Sequence, residues 1–450
     1  MIQGIDILLV IIYFVLALGI GLISARKMTK EGFLIAERKL GVFSLTASIS
    51  AGFLGGGLLV AYVSYVYQFG MSAIWIFAGI ALGFLLLLVY HKRLKVLADK
   101  EEFYTISDYF KFKYGKNVGM ISAIAVILYF LFFLIIEFIA GGRILSGILN
   151  IPYFYSVLIM ALVVLIYLGL GGFKSVVKTD VFQYLVIVLF AAVIVFFVTT
   201  GVDFPKQELS LANAGIGNSI AFLILGAFAT FMAPDLWQRI YASKNTKAAK
   251  ISLYLTSVLI FLFGFVMALI GIVAKLNFPD ILPDNALIFG LSNLLPAGIL
   301  GLGIVMLFAA IMSSVDTSLF ILGMNISEDI VRSRKEVTKD KLISLTRWSI
   351  IGFAIISVLV AVFIQNIISI ALAFGSVSLA LTPSLIGSFH FKLKSKAVFW
   401  SILMGIVSVI LILASGYITP ESSIVSLPVA LVVLIIGQVL FKHSVIEDKS

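Results

Sequence analysis

Long apolar runs separated by short polar stretches dominate this chain. Thirteen of them are long enough to cross a hydrocarbon layer about 30 Å thick. They cover residues 5–25, 44–68, 72–91, 118–148, 153–171, 176–200, 217–241, 250–276, 295–328, 342–364, 366–390, 397–416 and 423–441. None has the strict two-residue alternation of a membrane strand, and in lipid a helix satisfies its own backbone. The pattern predicts an all-α integral membrane protein of about thirteen transmembrane helices.

Polar residues inside the runs point to chemistry. The stretch 301–334 begins as a plain apolar helix, yet its middle carries Ser313, Ser314, Asp316, Thr317 and Ser318. At 3.6 residues per turn, Ala310, Ser313, Ser314 and Thr317 share one face. Adjacent hydroxyls can offer several oxygens to a small hard cation, and Asp316 adds a carboxylate that is costly in a bilayer unless paired or functional. The alternative is hydroxyls bonded back to their own helix, with Asp316 paired to a neighbour.

Residues 40–70 place Ser48, Ser50, Ala51 and Gly52 ahead of Gly55, Gly56 and Gly57. Three successive glycines weaken a helix. A break in lipid is tolerable where it lines a cavity, so a broken helix is expected here rather than packing through glycines spaced four apart. Pro234 and Asp235 interrupt the run 217–241, and Gly375, Ser376 and Pro383 are expected to interrupt 366–390. Glu137 lies in mid-run as a solute or proton group, or as a structurally paired carboxylate with Arg143 as a candidate partner. Asp180 is expected about one turn inside a helix starting near Ser175, where the dipole favours a carboxylate. Thr105–Tyr114 reads as an amphipathic interfacial helix ended by Gly115.

Interrupted helices in corresponding positions predict a five-plus-five inverted repeat with broken first and sixth core helices and a site at the repeat interface. The first repeat spans 40–200 and the second 217–391. A peripheral helix (1–30) precedes them and two peripheral helices (396–450) follow.

Composition agrees and charge adds orientation. The 450 residues are 62% hydrophobic and 12% charged, which excludes an ordinary soluble domain. Of 32 Lys and Arg, 29 fall on alternate loops; Lys206, Lys275 and Arg143 are the exceptions. Excess Lys and Arg mark the cytoplasmic face, so the N-terminus is expected outside and the C-terminus in the cytoplasm. The net charge of +10 is thereby a matter of topology, and no nucleic-acid partner is expected. With no cysteine there is neither a disulfide framework nor a thiolate metal site.

Six motifs, in order, resemble the sodium:solute symporter family, whose core is the LeuT-type inverted repeat. They are ERKLGVFSLTASISAG, TISDYFKFKYG, IAGGRILSG, GLGGFKSVVKTDVFQ, QRIYASKNTKAAK and AAIMSSVDTSLFILGMNISEDIV, spread from about residue 36 to 390. The resemblance implies a sodium site formed by the carbonyls of Ala51, Leu54 and Ala310 with the hydroxyls of Ser313 and Ser314. It also implies a second sodium nearer the cytoplasm on Asp180, Asp316 and Thr317. Proline-transporting members carry an aspartate where this chain has Phe53, and aromatic residues where it has Gly226 and Thr230. Proline is therefore not the expected solute; Phe53, Gly56, Phe133, Glu137, Gly226 and Thr230 are expected to line a different pocket.

The reading is a sodium-coupled secondary symporter of the plasma membrane that imports a small organic solute by alternating access. Sodium is its coupling ion and no further cofactor is expected. The alternatives are a proton-coupled or uncoupled transporter of the same fold, titrating Glu137 or Asp316, and a solute sensor that does not transport. The runs hold no nucleophile–base pairing and no P-loop pattern, so an enzyme is not expected. The oligomeric state stays open, a monomer included.

Overall fold

A computed structural model describes residues 4–25, 29–201, 204–296, 299–332, 337–364 and 366–441. Arg26, Lys27, Arg334, Lys335, Lys442 and Lys449, on which part of the expected charge asymmetry rests, lie outside these ranges. The described chain is mostly helical. In order it forms α1 (Gly4–Ala25), α2 (Lys30–Ile35), α3 (Val42–Phe53), α4 (Gly56–Phe69), α5 (Trp75–Lys100), α6 (Ile106–Tyr114), α7 (Lys116–Leu149) and α8 (Tyr153–Gly201). Then follow α9 (Gly215–Phe231), α10 (Pro234–Ala242), α11 (Thr246–Asn277), α12 (Ala286–Leu294), α13 (Leu300–Met324) and α14 (Lys339–Phe363). The last four are α15 (Ile367–His390), α16 (Ser395–Ala414), α17 (Pro420–Ser423) and α18 (Ser426–Leu440).

Eleven segments among the described residues are long and apolar enough to cross a membrane, and two apolar helices, Val42–Phe53 and Tyr153–Ile166, are shorter. This differs from a tally of thirteen full spans for a local reason. The run 44–68 divides into α3 and α4, a tight 3-10 turn at Gly70–Ile74 joins α4 to α5 as one apolar stretch, Gly56–Lys100, and the run 153–171 counts only as the shorter helix Tyr153–Ile166.

Both expected breaks form, and each follows from its residues. At the first, Leu54 leaves helical geometry and Gly55 is extended (φ −53°, ψ 138°) before α4 begins. The glycines also permit close approach. A Cβ on Gly56 would sit 2.1 Å from Ile311 Cγ1, and one on Gly57 would sit 2.4 Å from Ile136 Cγ2. Breaking and packing are thus served by the same three residues. At the second break Pro234 occupies the first turn of α10, where its missing N–H costs nothing. The indole Nε1 of Trp237 donates to the carbonyl of Phe231 at 2.9 Å, satisfying an acceptor freed by the interruption.

Two expectations are corrected. α15 runs unbroken through Gly375, Ser376 and Pro383. Proline removes a single N–H there, and neighbouring hydroxyls bond to helix carbonyls, Thr382 Oγ1 to Ser378 at 3.0 Å and Ser378 Oγ to Gly375 at 2.5 Å. The turn within α8 is a single residue, Gly172 (φ +55°), whose Cβ would meet the Phe33 ring at 2.4 Å. Asp180 therefore lies about two turns into the second half of α8, too deep for the dipole alone to account for it.

α6 matches its expectation, with a capping box between Thr105 and Asp108 at its start and Gly115 (φ +86°) at its end. At the centre of the bundle stands α13, the one candidate span among the described residues whose apolar window is wholly buried. It packs on α1, α7, α8 and α14 and on the broken pair α3–α4. Asp6 of α1 accepts the Gly301 N–H at 2.8 Å and so caps its first turn.

α5 and α9 approach through small residues, as membrane helices do. A Cβ on Gly79 would stand 2.4 Å from the backbone oxygen of Leu223, and one on Gly226 would stand 2.3 Å from that of Ile76. Gly79→Ala is expected to lower the stability of the detergent-purified protein by about 1–3 kcal/mol through overpacking against backbone. Gly352→Ala, with nothing within 4 Å of the new atom, is the control and should leave the melting temperature at or above that of the parent.

Candidate functional site

Polar groups inside the bundle gather on one cation, Arg239. Its α10 helix begins at the second break, which carries it into the core, where the side chain is wholly buried. Four of the five donors of the planar fork have named acceptors. Nε donates to Ser48 Oγ of α3 at 2.8 Å, and Nη1 pairs with Asp235 Oδ2, one turn back, at 3.1 Å. Nη2 donates to Asp180 Oδ2 of α8 at 3.1 Å and to Thr317 Oγ1 of α13 at 2.9 Å. Asp180 also accepts from Ser48 Oγ and from Ser313 Oγ, both at 2.5 Å. Four side chains from four helices thus close around one guanidinium, with Ser313 behind Asp180.

This arrangement corrects one expectation. Arg239 was to be one of the loop charges, and it is an internal one. Sequence reasoning missed it because it stands three residues inside the run's inner end, followed by Lys244, Lys247 and Lys250; Gln238 and Arg239 after a proline were the available signal. Asp180 and Thr317 of the expected second sodium site do meet, at Arg239 Nη2. Asp316 turns towards α8, where Thr179 Oγ1 donates to its Oδ2 at 3.3 Å.

Beside this cluster lies the first break. Ser314 Oγ donates to the carbonyl of Gly52, in the last turn of α3, at 3.1 Å. That contact sets the hydroxyl face of α13 against the interruption, with Ser313 alongside on Asp180. Ala51 and Ala310 are both buried completely, and Leu54 nearly so. From α7, Glu137 reaches the other side of the break. Its Oε2 accepts the Gly57 N–H at 3.0 Å, with the amides of Gly56 and Leu58 beside it, so it caps the start of α4. The expected pairing with Arg143 is replaced: Arg143 Nη1 binds Asp284 Oδ2 at 3.0 Å.

A cavity adjoins the break, with an empty volume of about 830 Å³ counting its open mouth. Phe53, Phe133, Gly226 and Thr230 line it, whereas Gly56 and Glu137 stand behind the wall. Most of the remaining lining is aromatic or aliphatic, including Tyr62, Tyr129 and Phe374. Asp235 is the lining's one charged side chain, and its partner is Arg239. The hydroxyls of Thr230 and Tyr65 are buried at this wall and make no hydrogen bond among the described residues.

Comparison with known proteins fits this geometry. The profile of the Sodium:solute symporter family matches residues 33–405. "Sodium/proline symporter 2" of Staphylococcus saprophyticus is 26% identical over 418 residues, covering 86% of this chain and 81% of its own length. The sodium/pantothenate symporter of Haemophilus influenzae is 25% identical over 361 residues, covering 73% and 72%. Among solved structures, a Na+-coupled sialic acid symporter in a substrate-bound outward-open state superposes with a TM-score of 0.82. It is 18% identical and covers 98% of this chain and 99% of its own. A nucleobase-cation-symport-1 family transporter, closed with bromovinylhydantoin bound, gives 0.63 at 13% identity, covering 93% and 97%.

Removing one partner of a buried ion pair strands the other. Arg239→Gln is expected to destabilise the purified protein by about 3–5 kcal/mol. Adding Asp180→Asn should recover part of the loss, a non-additivity that a double-mutant cycle in thermal or denaturant unfolding would read.

Proposed function

This chain belongs to the sodium:solute symporter family, and from that premise we propose how a sodium-coupled symporter with these residues works. The protein is a multi-pass membrane protein. Its N-terminus faces out and its C-terminus the cytoplasm, a reading that rests on the alternation of Lys and Arg between loops.

Sodium binds where α13 faces the first break, held by the carbonyls of Ala51, Leu54 and Ala310 and the hydroxyls of Ser313 and Ser314. The observation that carries this is the pair of hydrogen bonds made by the serines. Each donates its proton elsewhere, Ser313 to Asp180 at 2.5 Å and Ser314 to Gly52 O at 3.1 Å. Each oxygen therefore keeps lone pairs for a cation, the donor type a hard monovalent ion takes. Sodium binding holds the broken helix against α13, favours the outward-open state and completes the solute site. Alternating access then releases both to the inside.

Arg239 stands where a second sodium on Asp180 and Thr317 would sit, so we read one sodium per cycle while the guanidinium stays docked. The solute is a small organic molecule with a largely apolar body and no net charge. In the cavity wall Asp235 is ion-paired with Arg239, and no Lys or Arg is among the described lining residues. Thr230 and Tyr65 offer two hydroxyls for it to bond.

Thermal stability of the purified protein, titrated with sodium against equal choline and without solute, tests the ion site. A ligand bound only by the folded state raises stability by mass action. A saturable shift specific to sodium is expected, lost when Ser313→Ala is combined with Ser314→Ala; no shift, or one unchanged in the double variant, sinks the reading. Sodium-dependent solute uptake should follow a Hill coefficient of about 1; a coefficient near 2 would put a second sodium on Asp180.

A further inference from the structure

One atom at the first break is left unsatisfied. Glu137 is wholly buried, and while its Oε2 caps α4, its Oε1 has no hydrogen-bond partner among the described residues. That oxygen is aimed into the break. It lies 2.3 Å from the point where a Cβ of Gly55 would sit, and Ser314 Oγ lies 2.6 Å from the same point. Glycine keeps the space between the two oxygens open. No proton of Ser314 bridges it, because that hydroxyl donates to Gly52 O. A buried carboxylate oxygen facing a hydroxyl's lone pairs across a gap is repulsive unless something positive lies between them.

We infer that Glu137 Oε1 is a charged ligand of the transported sodium ion, seated at the Gly55 gap with Ser314 Oγ. The inference rests on the sodium-coupled reading above and changes its electrostatics. Three carbonyls and two hydroxyls leave a sodium ion's charge uncompensated in a low-dielectric interior. Asp180 and Asp235 share Arg239, so one of their two charges is offset. Glu137 places a further full negative charge at the gap itself. It also ties the ion to the solute. Through Oε2 the same carboxylate fixes the start of α4, whose Leu58, Tyr62 and Tyr65 line the cavity, and Phe133, one turn before Glu137, lines it from α7. An ion at the gap therefore sets both walls at once.

The rival explanation is that Glu137 only caps α4. Glu137→Gln separates the two, since the amide oxygen can still accept the Gly57 N–H while the charge is gone. In the sodium titration of thermal stability, Glu137→Gln is expected to raise the midpoint by about tenfold or more, with little change in melting temperature in choline. A midpoint within about twofold of the parent's leaves Glu137 as a cap and overturns the proposal. Gly55→Ala is the second variant. It keeps both oxygens and fills the gap, so its sodium shift should vanish, and a retained shift would equally overturn the seat. A parent protein without any sodium shift would instead sink the sodium reading itself, which keeps the two failures apart.

Discussion

Backbone groups freed inside a hydrocarbon layer must find partners within the protein, and this requirement arranges the centre of the molecule. Breaking α3 from α4 exposes carbonyls at one end and amides at the other. Ser314 takes the carbonyl of Gly52 and Glu137 takes the amide of Gly57. Breaking α9 from α10 frees the Phe231 carbonyl, which the Trp237 indole satisfies. Each repair brings a polar side chain from a different helix to the break. The candidate ion site is thus where the fold already had to concentrate oxygens, and α13, buried along its whole apolar window, is the helix that supplies two of them.

A buried guanidinium then fixes how the broken halves meet. Arg239 binds Ser48 on α3, Asp180 on α8, Asp235 on its own α10 and Thr317 on α13. Lysine could not replace it, because one ammonium lacks the flat array of five donors that reaches four partners in different directions. Two carboxylates share this one cation, so the cluster as a whole still favours positive charge nearby. That bias suits a site whose task is to admit a cation and let it go. A cluster balanced exactly by its own cations would have no such preference.

Much of this was legible in the sequence because membrane constraints are strict. Apolar runs gave the helices, and three glycines in a row could only be a break or a close contact; here they are both. The Ser313–Thr317 face followed from helical spacing alone. Other features were hidden for definite reasons. Arg239 sits near the end of an apolar run with three lysines soon after it, so charge counting assigns it to the loop, and only the break at Pro234 turns it inward. Pro383 looked like an interruption, but it withdraws a single N–H and α15 runs through it. The cavity could not be read in full, since its wall is assembled from α3, α4, α5, α7, α9, α10 and α15. Aligned positions gave Phe53, Phe133, Gly226 and Thr230, while the tyrosines that complete the wall carry no local signal.

Coupling between ion and solute follows from the same economy of parts. Phe53 ends α3 at the break and also faces the cavity, and Phe133 lies one turn from Glu137 on α7. Any shift of the α3–α4 junction that accommodates an ion must therefore move groups that touch the solute. The reverse also holds, because a solute pressing on Phe53 and Phe133 acts on the junction where the ion is proposed to bind. Linkage requires the two effects to be equal in free energy. A wall of packed aromatic rings transmits such a shift better than a wet polar pocket would, because close-packed rings cannot absorb it by rearranging water. The apolar character of the cavity thus serves tight coupling as much as it serves recognition.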